Sequence, residues 1–495
     1  MKILLIYPQF TDTFWSYKHA LPFIRKKAAF PPLGLITVAA MLPPDWEIRL
    51  ADLNIGQLAD ADLDWAEMVF ISAMAAQRLS ARQAIARCRS AGKKIVAGGP
   101  LFISEHEDFP EADYFVLNEA EITLPLFLRD LEKGRPERVY ATGEFANTEL
   151  TPIPRWDLLD MKSYVSMPVQ WSRGCPFQCE FCDITRLLGR RPRVKTAPQM
   201  IAELDSLRSA GWHGKVFIVD DNFIGNKKRL MAELLPALIA FQKRMNYRMP
   251  FFTEASIDLA QFPELVSLMV AAGFDSVFVG IETPDQATLL ECQKTQNVGR
   301  DLAADVETLQ RAGLQVQAGF IVGFDSDDPA TIFQRQIDFI MRSGIITAMV
   351  GMLSAPNGTR LWERLKLAGR ITGRMSGDNV DGTTNIVPLM GVEVLRAGYR
   401  RVMEYLYSPP NYYRRVRIFL RQYQAPRVRQ SLKIQHVLAF FRACWHLGMV
   451  GPGGRWQFWT LLAWASVRRP RLFHLAVESA IFGYHFRKVT DSHIQ

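Results

Sequence analysis

Along the first third of the chain, apolar residues fall into short runs separated by amphipathic stretches. The runs Ile3–Tyr7, Ile48–Asp52, Met68–Ser72, Lys94–Ala97 and Tyr114–Leu117 are strand candidates. Runs this short, bounded by polar, small or Gly residues and alternating with helix-like segments, predict a doubly wound parallel sheet over residues 1–145. Such Rossmann-like sheets carry their ligand loops at the strands' C-terminal ends. In those positions stand Asp52-Leu53-Asn54, Ser72-Ala73-Met74, Gly98-Gly99-Pro100 and Asn118-Glu119-Ala120-Glu121. The Gly98-Gly99 pair suits either a close backbone approach to a large flat ligand or a tight turn.

Residues 146–165 are rich in turn formers, with Thr151-Pro152-Ile153-Pro154 among them, and read as a linker. A second strand–helix series runs from Val169 to about Met390, within a domain set at 166–390. Its strand candidates are Val216–Val219, Phe251–Glu254, Ser276–Gly280, Val316–Val322 and Thr347–Met352. Repeated β–α units feeding one parallel sheet predict a partial or full (β/α) barrel with function at the strands' C-terminal ends. From 391 to 495 the pattern is helical, basic and aromatic-rich, broken at Gly451-Pro452-Gly453-Gly454.

Composition supports several packed cores: 495 residues, 48% of them hydrophobic. The net charge of +9 is uneven: 17 Lys and Arg against 4 Asp and Glu from Gly391 onward leave 42 against 46 before it. That asymmetry points to an acidic partner. Trp445, Trp456, Trp459 and Trp464 beside Arg suit a membrane interface better than a nucleic-acid groove. A basic helical cap packed on the barrel accounts for the tail equally well. No apolar stretch reaches the roughly 18–20 residues needed to cross a bilayer, and the N-terminal apolar run is short for a signal peptide. Cytoplasmic location, with peripheral contact on the membrane's inner face, is the expectation.

Three of the six cysteines lie in Cys175-Pro176-Phe177-Gln178-Cys179-Glu180-Phe181-Cys182, a C-x3-C-x2-C spacing. Structural zinc wants four closed ligands, and no second Cys/His pair lies nearby. Three thiolates can hold three irons of a [4Fe–4S] cluster and leave the fourth iron open to a small molecule. Cys88, Cys292 and Cys444 stand singly, which argues against disulfides and for a reducing compartment.

The motif Cys175, Cys179, Cys182, with Phe181 before the last cysteine, resembles the cluster motif of the radical S-adenosylmethionine (SAM) superfamily. The resemblance implies SAM contacts for Asp220, Asp221 and Asn222 after the second barrel strand, and contacts to the SAM ribose or the substrate for Glu254 and Glu282 at the ends of the third and fourth. It also implies that Gly319 and Gly323, in Ala318-Gly319-Phe320-Ile321-Val322-Gly323-Phe324, lie along the adenine. The Rossmann-like domain ahead of the barrel resembles the cobalamin-binding class, most closely the branch containing the hopanoid A-ring (C-2) methylase. In many cobalamin proteins an Asp-x-His-x-x-Gly loop gives a histidine to cobalt. Here that loop is Asp52-Leu53-Asn54-Ile55-Gly56, so Asn54 stands where the histidine would be, while Ser72, Gly98 and Gly99 match the loops around the nucleotide tail.

The function this implies is a cobalamin-dependent radical SAM methyltransferase. It would move methyl from SAM through methylcobalamin to an unactivated carbon of an apolar small molecule, such as a hopanoid-like membrane lipid, with flavodoxin or ferredoxin as electron donor and no nucleic acid. The alternatives are oxidative cyclisation or rearrangement with the same cofactors, and a non-catalytic iron–sulfur or cobalamin sensor.

Overall fold

Two six-stranded parallel sheets organise the chain. The computed structural model describes residues 1–425, 434–451 and 453–494. The first sheet holds β1 (Lys2–Tyr7), β2 (Glu47–Asp52), β3 (Met68–Ser72), β4 (Lys94–Gly98), β5 (Tyr114–Val116) and β6 (Val139–Tyr140) in the order β2-β1-β3-β4-β5-β6. Ile3, Leu4, Leu5 and Ile6 are all fully buried, because helices cover both faces. The order reverses at β1, which makes the crevice between β1 and β3 the switch point where such sheets bind ligands. Strand β6 pairs only with β5, over two residues, too short to leave a periodic signal.

The second half begins with β7 (Ser166–Val169), then a two-stranded antiparallel ribbon of β8 (Ser172–Arg173) and β9 (Arg193–Val194). It continues with β10 (Lys215–Ile218), β11 (Phe251–Ala255), β12 (Phe274–Glu282), β13 (Gln315–Val322) and β14 (Ala348–Met352). The sheet order β14-β13-β12-β11-β10-β7 follows the sequence, as expected for repeated β–α units, and among the described residues β7 and β14 remain edges. The barrel is therefore partial. Val169 proves to be the last residue of the first strand rather than its start, and Pro168 is tolerated there because β7 is an edge.

Exposure alternates along these strands. Val216, Ile218, Val277, Val279, Val316 and Val350 are buried against the outer helices. Their neighbours Phe217, Phe252, Phe278 and Met349 are only partly buried, because they face an open lumen. Two-residue periodicity thus divides core from cavity.

The 146–165 segment is three short 3-10 turns, anchored by the buried Trp156 and Tyr164. The tail comprises helices Val392–Tyr407, Pro409–Gln422, Ile434–Ala443, Arg455–Arg468 and Phe473–Ile494. Its first two close over the barrel around Arg415, which is fully buried. The guanidinium donates to the Leu406 carbonyl at 3.0 Å and the Ile346 carbonyl at 3.3 Å. It also lies over the rings of Tyr407 and Tyr412 at 5.5 and 5.3 Å. The last helix returns to the N-terminal segment, where Phe486 stacks on Phe14 at 4.1 Å and His485 Nε2 meets the Phe14 carbonyl at 3.0 Å.

Replacing Arg415 with alanine strands two buried carbonyls and opens a void. The expected loss is about 2–4 kcal/mol, read as a melting temperature roughly 5–10 °C lower; an unchanged melting curve would refute this account of how the tail is seated.

Candidate active site

The C-terminal ends of the two sheets face each other across the cysteine loop. Arg173, the residue before Gly174-Cys175, donates to Glu121 at 2.7 Å and 3.0 Å and lies 3.4 Å from Glu119. Arg193, on the other ribbon strand, pairs with Glu119 at 2.5 Å. Glu119 stands at the N-cap, and Glu121 in the first turn, of the helix that follows β5 in the other sheet. All four side chains are largely buried, and Arg173 holds the Glu121 carboxyl below its usual range despite burial, which opposes that shift. Arg186, just after the cysteine loop, donates to Ser104 Oγ at 3.0 Å, in the helix that follows Gly99.

The cysteine loop needs glycine at its root. Gly174 has φ +99°, and a Cβ there would meet the carbonyl oxygens of Gly189, Arg191 and Leu188 at 2.9–3.0 Å. Cys175 N–H donates to the Gly189 carbonyl and Cys182 N–H to that of Cys179. Cys175, Cys179 and Cys182 are partly accessible and unpaired. Outside them, Arg364 clamps Glu180 at 2.6 Å and Asp325 at 2.9 Å.

Asn222 Nδ2 lies 3.9 Å from Cys175 Sγ and Gln296 Nε2 lies 3.6 Å from Cys179 Sγ. Lys294 is buried, 2.7 Å from Glu282. Burial alone would depress its pKa, but Glu282 and the thiols of Cys179 and Cys182 outweigh it and hold the ammonium protonated. A buried cation and two amide donors around three sulfurs suit an anionic cluster. Neither Lys294 nor Gln296 carries a sequence signal; they follow the helix after β12 and reach the site only through the fold.

The acidic candidates separate. Asp220 spends its oxygens on the N–H groups of Trp171 and Ser172 and on Ser172 Oγ, at 2.7–2.9 Å. It fixes the chain leading into the cysteine loop and has little left for a ligand. Asp221 Oδ2, by contrast, is buried with no partner. Burial and the adjacent Asp220 push its pKa up to about 7. Glu254 is pushed up to about 8 by burial and by Asp221 and Asp220. The orphaned Asp221 oxygen and the raised Glu254 carboxyl beside it call for a cationic group, which the ammonium and sulfonium of SAM supply.

Glu282 ends β12 past an irregularity between Gly280 and Glu282, with φ +62°, and is already neutralised by Lys294. Asn297 Nδ2 holds that bend by donating to the Gly280 and Ile281 carbonyls. Gly319 lies across from Gly280, beside the Phe278 ring. Gly323 follows β13 in a turn held by Asp327, whose carboxylate accepts from Gly323 and Phe324 N–H.

In the first sheet, Asp52 is buried and accepts from Asn54 and from Tyr164 Oη at 2.7–2.8 Å. The Asn54 amide also accepts from Phe10 N–H and donates to the Pro8 carbonyl. Its side chain is thus committed to bracing the loop after β1. Gly99 has φ +89°, and a Cβ there would lie 2.5 Å from Ser72 Oγ; one on Gly98 would lie 2.7 Å from the Val116 carbonyl. The pair is therefore required by the protein's own packing, and ligand approach is not needed to explain it.

The N-terminal segment enters the lumen, which the strand pattern did not reveal. Trp15 Nε1 contacts Met349 Sδ at 3.0 Å and its ring meets Phe278 at 5.3 Å. Phe30 packs on Phe217 and Phe252, which stack at 4.5 Å. The interior beside Glu254 is thus aromatic and apolar.

A Rossmann-like sheet set face to face with a partial barrel carrying a C-x3-C-x2-C loop defines a radical SAM protein with an added nucleotide-type domain. Residues 169–333 match the radical SAM superfamily, and 359–495 match a domain of unknown function, DUF4070. The chain is 41% identical over 494 residues to the uncharacterized methyltransferase sll1242 of Synechocystis sp., covering 98% of this chain and 91% of that one. It is 35% identical over 413 residues to the hopanoid C-2 methylase of Rhodopseudomonas palustris, covering 82% and 77%. The chain belongs to the radical SAM superfamily, within the group that includes these two proteins. Its fold matches the cobalamin-dependent SAM radical enzyme OxsB, with TM-score 0.64, 14% identity and coverage of 99% and 79%. It also matches the radical SAM methyltransferase TsrM of Kitasatospora setae, with TM-score 0.57, 14% identity and 99% coverage of each chain.

Because Glu254 titrates higher folded than unfolded, folding takes up a proton between about pH 4.5 and 8, and stability falls as pH rises through that window. In SAM-free protein, Glu254→Gln should gain on wild type by up to about 1.4 kcal/mol per pH unit there, with no difference below it; parallel melting-temperature profiles would refute this. Cys292 is buried, its thiol directed at the Leu289 carbonyl. Cys292→Ala should therefore keep the iron content of reconstituted wild type, while Cys179→Ala should lose it.

Proposed function

We propose that this chain is a cobalamin-dependent radical SAM methyltransferase acting on an unactivated carbon of an apolar small molecule, with a hopanoid-like lipid as the leading substrate class. One observation carries the reading: the strand ends of the nucleotide-type sheet and of the partial barrel converge on one cysteine loop, beside an aromatic lumen. That juxtaposition is what transfer between two cofactors requires. Two relatives of the chain, one named a methyltransferase and one a hopanoid methylase, support it.

When bound, the cluster supplies the electron that cleaves SAM, and the corrin cobalt carries the methyl group. The chain's own residues do the rest. Cys175, Cys179 and Cys182 would hold the cluster, with Lys294 offsetting its negative charge. Asp221 and Glu254 would meet the positive groups of SAM, and Glu282 and Gly319 would border it. Asp220 and Asn222 set the loop from behind. On the other sheet Asp52, Asn54, Ser72, Gly98 and Gly99 shape the corrin-facing edge, with no imidazole for cobalt. The apolar lumen excludes water from a reactive radical.

The division into 1–145, 146–165, 166–390 and 391–495 belongs to the same reading, as do a flavodoxin or ferredoxin donor, a cytoplasmic location and peripheral contact with the membrane. Oxidative cyclisation without methyl transfer is the second reading. The anaerobic magnesium-protoporphyrin IX monomethyl ester cyclase of Synechocystis sp., 22% identical over 335 residues, is the relative that favours it.

Cys179→Ala should abolish reductive cleavage of SAM to 5′-deoxyadenosine. Asp221→Asn should weaken SAM binding about tenfold by removing a charge-assisted contact, measured by equilibrium dialysis of the anaerobic protein; unchanged affinity would remove Asp221 from the site.

A further inference from the structure

The tail carries an exposed apolar surface that the barrel does not use. In helix Ile434–Ala443 and the turn of π-helix Cys444–Val450, Ala439, Ala443 and Leu447 face the protein. On the opposite side Val437, Phe441, Trp445 and Met449 recur at four-residue spacing, all exposed. Phe441 is 62% exposed and Trp445 60%. In helix Arg455–Arg468 the protein-facing set is Phe458, Leu461, Leu462 and Ala465, while Trp456, at 78%, Trp459 and Val467 face outward. Water-facing helices are polar on the outer side; helices apolar on both sides have a second apolar neighbour. Trp459 Nε1 donates to the Gly448 carbonyl at 3.2 Å, which fixes the two stripes as one surface.

Charge identifies the neighbour. Between Tyr405 and Val477 the sequence has no Asp or Glu, yet it has twelve Arg and Lys. Among the described residues, none of the arginines in this stretch forms an ion pair. Arg455 and Arg468 bracket the outward face of the second helix, and Arg471 follows it. Trp and Phe on an apolar face rimmed by unpaired Arg is the chemistry of a helix lying in an anionic bilayer interface. No helix of the described residues is long and apolar enough to cross a membrane.

We infer that helices Ile434–Ala443 and Arg455–Arg468 dock this protein on an anionic lipid surface, with Phe441, Trp445 and Trp456 seated among the acyl chains and the arginines at the headgroups. The docking helix is tied to the segment that enters the lumen. Arg442 Nη1 donates to the Phe23 carbonyl at 2.7 Å, and that segment leads back to Tyr17 and Trp15, the residue that enters the barrel. The inference deepens the peripheral membrane contact of the proposed function and rests on that part of it alone; vesicle binding is read without any activity, so its failure is distinct from failure of the methyltransferase reading.

Sedimentation of the full-length holoprotein with phosphatidylcholine vesicles, with and without phosphatidylglycerol, tests it. Wild type should sediment with the phosphatidylglycerol vesicles and be released by raised salt. The variant Phe441→Gln/Trp445→Gln/Trp456→Gln should lose binding at least about tenfold with an unchanged melting temperature, since these side chains have little packing to lose. Protein that stays in the supernatant with either vesicle, or a variant that binds like wild type, overturns the proposal. Equal binding to pure phosphatidylcholine overturns its anionic part. A dimer of wild type that the variant abolishes, without vesicle binding, assigns the surface to a second copy instead.

Discussion

The ion-pair cluster of Arg173 and Arg193 with Glu119 and Glu121 is the constraint on which the rest of the site depends. It joins two sheets by the loops at their C-terminal ends, the same ends that carry ligand chemistry in each. Removing one member of a largely buried pair leaves an uncompensated charge, at a cost of about 3–5 kcal/mol. Because Arg173 immediately precedes Gly174-Cys175, any rotation between the sheets would displace the cysteine loop. Four charged side chains thus hold the cysteine loop against the other sheet, alongside the apolar packing of Phe14, Ile36 and Phe30 on the barrel.

Around that joint the site uses charge in two opposite senses. Beside the cysteines stand Lys294 and the amides of Asn222 and Gln296, ready for negative charge on sulfur and iron. A short way off, Asp221 keeps an orphaned carboxylate oxygen, and Glu254 beside it is held above its ordinary pKa, both ready for positive charge. A zwitterionic, sulfonium-bearing molecule that bridges an anionic cluster and an acidic pocket fits this polarity. The aromatic lumen behind it suits a substrate without charge of its own.

Much of this was legible in the sequence, for identifiable reasons. Buried parallel strands are continuous apolar runs, so the strand candidates match the observed strands within a residue at either end, except for the longer β12 with its irregularity at Gly280. The cysteine spacing named its chemistry because three thiolates in eight residues have few other uses. What stayed hidden depends on contacts between distant residues. Asp220 and Asp221 are adjacent in sequence and alike in type, yet one is saturated by backbone donors and the other is open; only the fold separates them. Gly98-Gly99 suited either a ligand approach or a tight turn, and only the fold shows Val116 and Ser72 standing where a Cβ would go. Trp15 and Phe30 entered the lumen from a segment with no regular periodicity, and Lys294 reached the cluster loop from a turn without a motif.

The central claim is that one chain passes a methyl group from SAM to an apolar carbon with both cofactors facing each other. The most direct measurement is product analysis after anaerobically reconstituted, cobalamin-loaded protein is given a hopanoid, a reductant and SAM labelled in its methyl group. The account predicts labelled methyl in the lipid, formed together with 5′-deoxyadenosine and lost when cobalamin is omitted. Formation of 5′-deoxyadenosine with a product that lacks the label, or methylation that persists without cobalamin, would contradict it.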